Sequence, residues 1–204
     1  YYLEAHDAHG NVARLPASGE AAPLRFGVGL VAEKFETATP WSTGISDDAT
    51  SGRWVRAVPV GTLAQPDADH TFAGTRCFVT GNGIAGAPAS DADVDGGSTT
   101  LLSPVWELGG STGARLSYWR WYSNDKGAAP EEDLWCVDVS NDGGATWVAL
   151  ERTTQSDARW RREEFDLVAV LVKPDRVRVR FTAADRGAAS LVEAAVDDVL
   201  LQAT

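Results

Sequence analysis

The chain has 204 residues, 44% of them hydrophobic, which is enough to bury the core of one sizeable domain together with part of another. Its 29 acidic residues outnumber its 18 basic ones and give a net charge of −11. This balance argues against a nucleic-acid partner, because such partners are bound through Lys and Arg. No apolar run approaches the roughly 18 residues of a membrane-spanning helix. The sequence contains no Met, so we expect it to be a segment of a longer protein.

The first 29 residues differ in character from the rest. A Tyr-Tyr-Leu-Glu-Ala stretch at 1–5 and a Gly-Asn turn precede two prolines and a strand-like run at 24–29. Extended runs separated by turn residues and prolines predict strands joined by loops. We therefore assign 1–29 to two strands and a linker, and we place the main domain at 30–204.

The main domain is predicted to be all-β. Its apolar runs are short, rich in Val, Trp, Tyr and Leu, and end in Gly, Asn, Asp or Pro, and none shows a sustained helical period. Short strands at regular spacing with turns between them favour a jelly-roll β-sandwich. The clearest strands are predicted at 76–80, 99–108, 114–124, 134–140, 145–152, 176–183 and 190–201.

Two segments predict how strands pair and which faces they bury. Residues 137–148 contain Asn-Asp-Gly-Gly between two apolar runs, and these residues tolerate the positive φ of a hairpin turn. In 176–181, Arg alternates with Val or Phe. Since side chains alternate between the two faces of a strand, we expect one face in the core and one face of arginines in water.

The strand predicted at 114–124 carries the candidates for ligand binding. Alternation places Trp119 and Trp121 on one face and Arg120 and Tyr122 on the other. Two large indoles favour the core, so we expect Arg120 and Tyr122 to face outward. An aromatic ring beside a hydrogen-bond donor would suit a sugar ring.

An aspartate-rich loop predicts a calcium site. Asp93 and Asp95 alternate before two glycines, and alternate carboxylates of this kind converge on hard cations. Glu36 and the pair Asp197 and Asp198 are candidates for the remaining ligands, because two acids in an apolar strand need compensation. Alternation implies that only one of that pair faces the site. A solvated acidic turn is the alternative interpretation of the loop.

Several motifs that could indicate an enzyme have simpler interpretations. A glycine fingerprint at 81–86 and a Gly-x-Ser-x-Gly pattern at 109–113 both lack the helix that a nucleotide site or a nucleophile elbow requires, so we interpret both as connecting loops. Glu132 and Asp133 could be the paired carboxylates of a glycosidase. Adjacent acids more often solvate a loop.

The two cysteines, Cys77 and Cys136, match no zinc-ligand spacing. Two buried thiols or one cross-strand disulfide are both compatible with their positions in predicted strands. An extracellular setting would permit the disulfide.

Several motifs together carry a family resemblance. The chain resembles MAM-type and carbohydrate-module-type jelly rolls, and is more similar still to modules appended to secreted bacterial metallopeptidases. Its first residues resemble the closing strands of immunoglobulin-like domains found beside catalytic domains in bacterial exoenzymes. The stretches that carry the likeness of the main domain are Phe35-Glu36-Thr37, Gly52-Arg53-Trp54, Asp93–Gly97, Leu102-Ser103-Pro104, Ser117–Asn124 and Val192–Val199.

The resemblance implies a function and a structural metal. In such jelly rolls a structural calcium ties the first strand to the last, and Glu36 with Asp197 or Asp198 matches those positions. It implies no catalytic residues. We therefore expect a secreted, extracellular accessory module that binds glycan or cell-surface material for an attached hydrolase. A purely structural spacer and a jelly-roll glycosidase are the alternatives.

Overall fold

The structure, a computed structural model, describes residues 3–15, 17, 28–109, 111–188 and 190–203. Regular structure in these ranges consists of strands and short 3-10 turns. In chain order the strands are β1 (Leu3–His6), β2 (Val12–Leu15), β3 (Val28–Glu33), β4 (Ser42–Thr43), β5 (Trp54–Ala57), β6 (Cys77–Thr80), β7 (Gly97–Leu102), β8 (Trp106–Glu107), β9 (Ala114–Ser123), β10 (Trp135–Ser140), β11 (Val148–Thr153), β12 (Arg161–Asp166), β13 (Arg176–Asp185) and β14 (Glu193–Ala203).

Two antiparallel sheets form the main domain. The β14 sheet has the order β12-β9-β14-β6-β5, with β3 also paired to β14. The β13 sheet has the order β11-β10-β13-β7-β4, with β8 also paired to β13. The inner faces of the two sheets pack on each other, which confirms the predicted all-β jelly-roll sandwich.

The core lies between the sheets and is rich in aromatic rings. Val177, Val179 and Phe181 of β13 are fully buried, as their alternation with arginine predicts. Phe181 stacks on Trp41 and Trp135, with ring centroids 6.0 Å apart in both pairs. Each buried ring removes a large apolar area from water, and edge-to-face or offset pairs add to this stabilisation.

Most predicted strands are confirmed, with two informative differences. The run predicted at 99–108 is two strands, because Pro104 has no amide hydrogen to continue the ladder. Ser103 closes the gap: its Oγ accepts the Val179 amide at 2.9 Å. Strand β12 is not predicted from the sequence, since Arg-Arg-Glu-Glu-Phe-Asp has only one apolar side chain. The hairpin predicted at 137–148 forms between β10 and β11.

The N-terminal strands β1 and β2 form a separate two-stranded sheet. Asp7 organises their turn, since its Oδ1 accepts the amides of His9 and Asn11 at 2.8 and 2.9 Å. Of the strand predicted at 24–29, residues 24–27 lie outside the described residues, and Val28 begins β3. The assignment of 1–29 to the end of an immunoglobulin-like domain stays a prediction.

Both cysteines are free thiols in this structure. Cys77 lies in the β14 sheet and Cys136 in the β13 sheet, so the disulfide alternative is not realised. Burial raises the pKa of both thiols. Among the described residues, no helix has the length and apolar character needed to cross a membrane.

The prediction that Arg120 and Tyr122 face outward is wrong. Arg120 is 2% exposed and Tyr122 is fully buried, whereas Trp119 and Trp121 lie on the outer face of the β14 sheet. The side chains alternate as expected, but the buried face is the one with Arg120 and Tyr122 and the outer face is the one with the two indoles. Residues 58–75, which we call the covering segment, shield the outward indoles: Ala64 O accepts the Trp121 Nε1 hydrogen at 2.7 Å.

Arg120 is buried because carboxylates from three elements surround it. Its guanidinium donates to Glu151 Oε1 of β11 and to Asp157 Oδ2, each at 2.8 Å. Glu163 Oε1 of β12 lies 3.6 Å away. Burial, the largest single cause, would lower the pKa of Arg120, but the charges and hydrogen bonds of Glu151 and Asp157 together outweigh it and the net shift is upward. This buried ion-pair network joins the two sheets.

Candidate functional site

A groove of about 450 Å³ crosses the outer face of the β13 sheet. The outward-facing side chains of β13 form its floor, and Thr182 of this strand pairs with Thr100 of β7. Trp147, from the end of the β10–β11 hairpin, forms one wall. The lining residues are Ile45, Ser46, Ser98, Thr100, Leu102, Gly144, Trp147, Arg178, Arg180 and Thr182.

Arginines hold the aromatic wall in place. The Arg180 guanidinium lies over the Trp147 ring, 4.5 Å from its centroid, a favourable cation–π geometry. Arg180 Nε also donates to Asp138 Oδ2 at 2.9 Å. Gly144 has a φ of 107°, which only glycine adopts readily, and it lies within van der Waals reach of both Trp147 and Arg178. The groove therefore has a fixed indole ring as its wall, and hydroxyl groups and guanidinium cations along its floor.

Sequence reasoning missed this groove and did not single out Trp147 or Thr100 as site residues. The hairpin and the outward arginines of β13 were both predicted. What could not be predicted is that β10 and β7 flank β13 and bring Trp147, Arg180 and Thr100 to one face. That arrangement is set by pairing between distant strands.

The predicted calcium ligands fall into two groups. In the first, Glu36 accepts the amides of Thr75 and Arg76 and lies beside Asp69. Asp69 Oδ2 is buried and has no hydrogen-bond partner. Burial, followed by the charge of Glu36, raises the pKa of Asp69. Gly74 lies against both carboxylates, and a Cβ there would come within 2.5 Å of Glu36 Oε1, so the close packing requires glycine.

Asp197 and Asp198 complete this first group, and both face it. Pairing with β9 shifts register between Asp197 and Leu200, and Asp198 has a φ of 46°. This bulge overrides strand alternation, so the expectation that only one carboxylate would face the site is wrong. Asp197 Oδ2 accepts the amides of His70 and Thr71 at 2.9 and 3.0 Å, and Asp198 Oδ2 lies 2.7 Å from His70 Nδ1.

Asp93 and Asp95 belong to the second group, which also includes Asp133 and Asp185. Asp95 Oδ2 accepts the Ser51 hydroxyl at 2.9 Å, while Asp93 is 2% exposed. Asp93 Oδ1 and Asp133 Oδ2 are buried and have no hydrogen-bond partner. Burial, followed by the charge of Asp95, raises the pKa of Asp93 to about 7. The expectation of one site that combines all five predicted ligands is therefore wrong.

In neither group do the carboxylate oxygens converge on one position. Within the ranges that the structure describes, no three His, Cys, Asp or Glu side chains are placed so that they could hold a metal ion together. Both groups nevertheless offer only oxygen donors, the type that calcium prefers, and both contain unpartnered buried carboxylate oxygens. Their chemistry fits a calcium ion.

The glycosidase alternative finds no matching geometry in Glu132 and Asp133. Glu132 is exposed, whereas Asp133 is 3% exposed and its Oδ1 accepts the Arg186 amide at 2.8 Å. A pair of catalytic carboxylates must flank a sugar across one cleft. These neighbours differ instead in exposure, and Asp133 is held by a backbone hydrogen bond.

Glu193 is a buried acid at the start of β14. It is 1% exposed, and its Oε2 accepts the hydroxyl of Thr80 at 2.7 Å and the amide of Gln65 at 3.2 Å. Burial is the main cause that raises its pKa to about 9, and the charge of Asp93 adds to the shift. The folded protein therefore holds Glu193 protonated at neutral pH.

We expect Glu193→Gln to flatten the pH dependence of stability. The folded pKa is above the unfolded one, so the stabilisation is complete below about pH 4.5 and is lost as pH rises towards 9, by about 1.4 kcal/mol per unit. Between pH 5.5 and 7.5, the variant should therefore gain about 2–3 kcal/mol relative to the parent. Urea unfolding in chelator at both pH values measures this. Parallel pH profiles would show that Glu193 ionises normally.

Comparisons with known proteins identify the fold. No family model matches the chain, and no curated protein matches it. Among solved structures it is similar to TmCBM61 in complex with β-1,4-galactotriose, with a TM-score of 0.52, 20% identity, and coverage of 84% of this chain and 95% of that one. It is also similar to the K1 cleaved adhesin domain of Lys-gingipain from Porphyromonas gingivalis W83, with a TM-score of 0.56, 17% identity, and coverage of 87% and 99%. The chain thus shares the jelly-roll sandwich of a carbohydrate-binding module and an adhesin domain.

Proposed function

We propose that this chain is a non-catalytic extracellular module that binds glycan through the groove on the β13 sheet. The observation that carries the proposal is Trp147, held at the groove wall by Arg180 and facing a floor with threonine hydroxyls. Ligand sites typically combine aromatic side chains with a few placed polar groups. TmCBM61, which has the same fold and is solved with a galactotriose, supports a glycan as the ligand.

The accessory role follows from the same reasoning. A module that binds glycan without cleaving it is useful when it keeps an attached secreted hydrolase near its substrate, since linkage raises the effective concentration. We propose this arrangement for the full-length protein. Cell-surface material is the other ligand class that the proposal includes.

Structural calcium is the second part of the proposal. The first group, Glu36, Asp69, Asp197 and Asp198, lies where β14 meets the segment that follows β3. A cation there would offset several clustered negative charges and fix the two ends of the main domain to each other. Asp93 and Asp95, with Asp133 and Asp185, offer a second place for calcium.

Replacing Trp147 with alanine should weaken glycan binding at least tenfold. The substitution removes the aromatic wall and releases Arg180 from its position over the ring. A glycan array with the whole chain identifies a ligand, and isothermal titration calorimetry then compares the variant with the parent.

Phe72→Ala is the matched control for this loss. Phe72 is 97% exposed and lies in the covering segment on the opposite sheet, so its loss should leave the affinity unchanged. If Phe72→Ala abolished binding while Trp147→Ala did not, the ligand would lie on the covering segment. An array without any signal would favour a spacer instead.

A further inference from the structure

The groove on the β13 sheet is basic, although the whole chain is strongly acidic. The described residues that line it include two arginines, Arg178 and Arg180, and no acidic residue. The full sequence has a net charge of −11. A positively charged groove on a negatively charged protein favours an anionic ligand, because a neutral ligand would gain little from that charge.

Arg178 has no counter-ion in the described part of the chain. Its Nε donates to the backbone carbonyl of Ser103 at 2.7 Å, which anchors the side chain without neutralising it. Nη1 lies next to Gly144, whose other neighbour is the Trp147 ring. An unpaired, half-buried guanidinium thus lies beside the aromatic wall.

Arg180 is only partly neutralised. Its carboxylate partner, Asp138, also pairs with Arg152. One carboxylate therefore serves two guanidinium groups, and Arg178 adds a third positive charge. On the β7 side of the groove, Asp48 and Asp47 accept hydrogen bonds from the lining residues Ser98 and Thr100. The positive charge is therefore concentrated on the β13 side, where Arg178 and Arg180 are both partly buried.

We propose that the groove selects acidic glycans, with Arg178 as the residue that binds the anionic group. A guanidinium presents two parallel N–H donors that match a carboxylate or a sulfate, while Trp147 would contact the sugar ring. This inference rests on the proposed function and specifies the ligand of the same site. Uronate and sulfated sugars share the required chemistry.

The test is calorimetric titration of the whole chain with three sets of oligosaccharides of equal length. One set is uronates, including oligogalacturonate and oligoalginate; one is sulfated, such as heparin fragments; one is neutral, including xylo-, cello- and galacto-oligosaccharides. We expect at least one acidic set to bind tenfold or more tightly than every neutral sugar. This preference should shrink as salt increases, since screening weakens the charge interaction.

Two variants assign the preference to one residue. Arg178→Gln should weaken acidic-sugar binding tenfold or more, and Arg178→Lys should recover only part of it because the fork is lost. Arg176→Gln is the matched control, since Arg176 lies on the same face of β13 but outside the groove and pairs with Glu107. Its affinity should stay within twofold of the parent. Circular dichroism confirms that each variant is folded.

The possible outcomes separate this inference from the proposed function. Binding of neutral sugars as tightly as acidic ones would overturn the selectivity and leave the glycan-binding function standing. Equal losses in the Arg178→Gln and Arg176→Gln variants would overturn the role of Arg178. Absence of binding to any sugar in all three sets would overturn both.

Discussion

Arg120→Leu is expected to lower the free energy of unfolding by about 3–5 kcal/mol, the usual cost of removing one partner from a buried ion pair. The substitution leaves Glu151 and Asp157 without the cation that lies 2.8 Å from each of them. Among the described residues, Glu151 would retain only neutral donors, the Tyr118 hydroxyl and the Trp135 indole. Urea denaturation followed by Trp fluorescence measures the loss.

Two further variants test whether the loss comes from the buried charges. Arg115→Leu removes a pair with Glu164 in which the arginine is 56% exposed, and it should cost less than about 1 kcal/mol. The double variant Arg120→Leu/Glu151→Gln should recover part of the stability, because one unpaired carboxylate is gone. A cost for Arg120→Leu as small as that for Arg115→Leu would mean that water reaches the network.

Millimolar calcium is expected to raise the melting temperature by about 5–15 °C over that in excess chelator. An ion that binds only the folded state at 100 to 1,000 times its dissociation constant adds about 3–4 kcal/mol, and a domain of this size shifts by about 2–4 °C per kcal/mol. Equal concentrations of magnesium should have a smaller effect, since clustered carboxylates and carbonyls suit the larger ion. Identical melts in calcium and chelator would contradict the proposal.

Asparagine variants assign the shift to one group of carboxylates. Asp197→Asn should remove most of the shift if calcium binds the first group, which contains Glu36. Asp93→Asn should do so if calcium binds the second group, which contains Asp133. In chelator, Asp93→Asn should not lower stability, because it removes a buried charge whose Oδ1 has no hydrogen-bond partner. Asp197→Asn should lower it, because both Asp197 oxygens accept backbone N–H groups and an amide nitrogen cannot. The comparison is therefore made on the calcium-dependent shift of each variant and not on its stability in chelator. Glu132→Gln is the control, since this exposed acid neighbours Asp133 and belongs to neither group. A shift that survives both variants would place the ion elsewhere.

The sequence alone determined the fold class and much of the strand plan. Alternation in 176–181 predicted which side chains of β13 enter the core, because neighbouring side chains of a strand must point to opposite faces. The Asn-Asp-Gly-Gly turn predicted the β10–β11 hairpin, because these residues adopt the conformation that the turn requires. Both are local properties, fixed within a few residues.

The tertiary structure decided the rest. Alternation in β9 could not show which face is buried, because a face with Arg120 becomes interior only when carboxylates from β11 and β12 meet it. The bulge that turns both Asp197 and Asp198 to one side breaks the alternation on which sequence reasoning relied. The groove around Trp147 likewise exists only because distant strands pair in one register. Contacts between residues far apart in the chain carry no local pattern, so the candidate site became visible only in three dimensions.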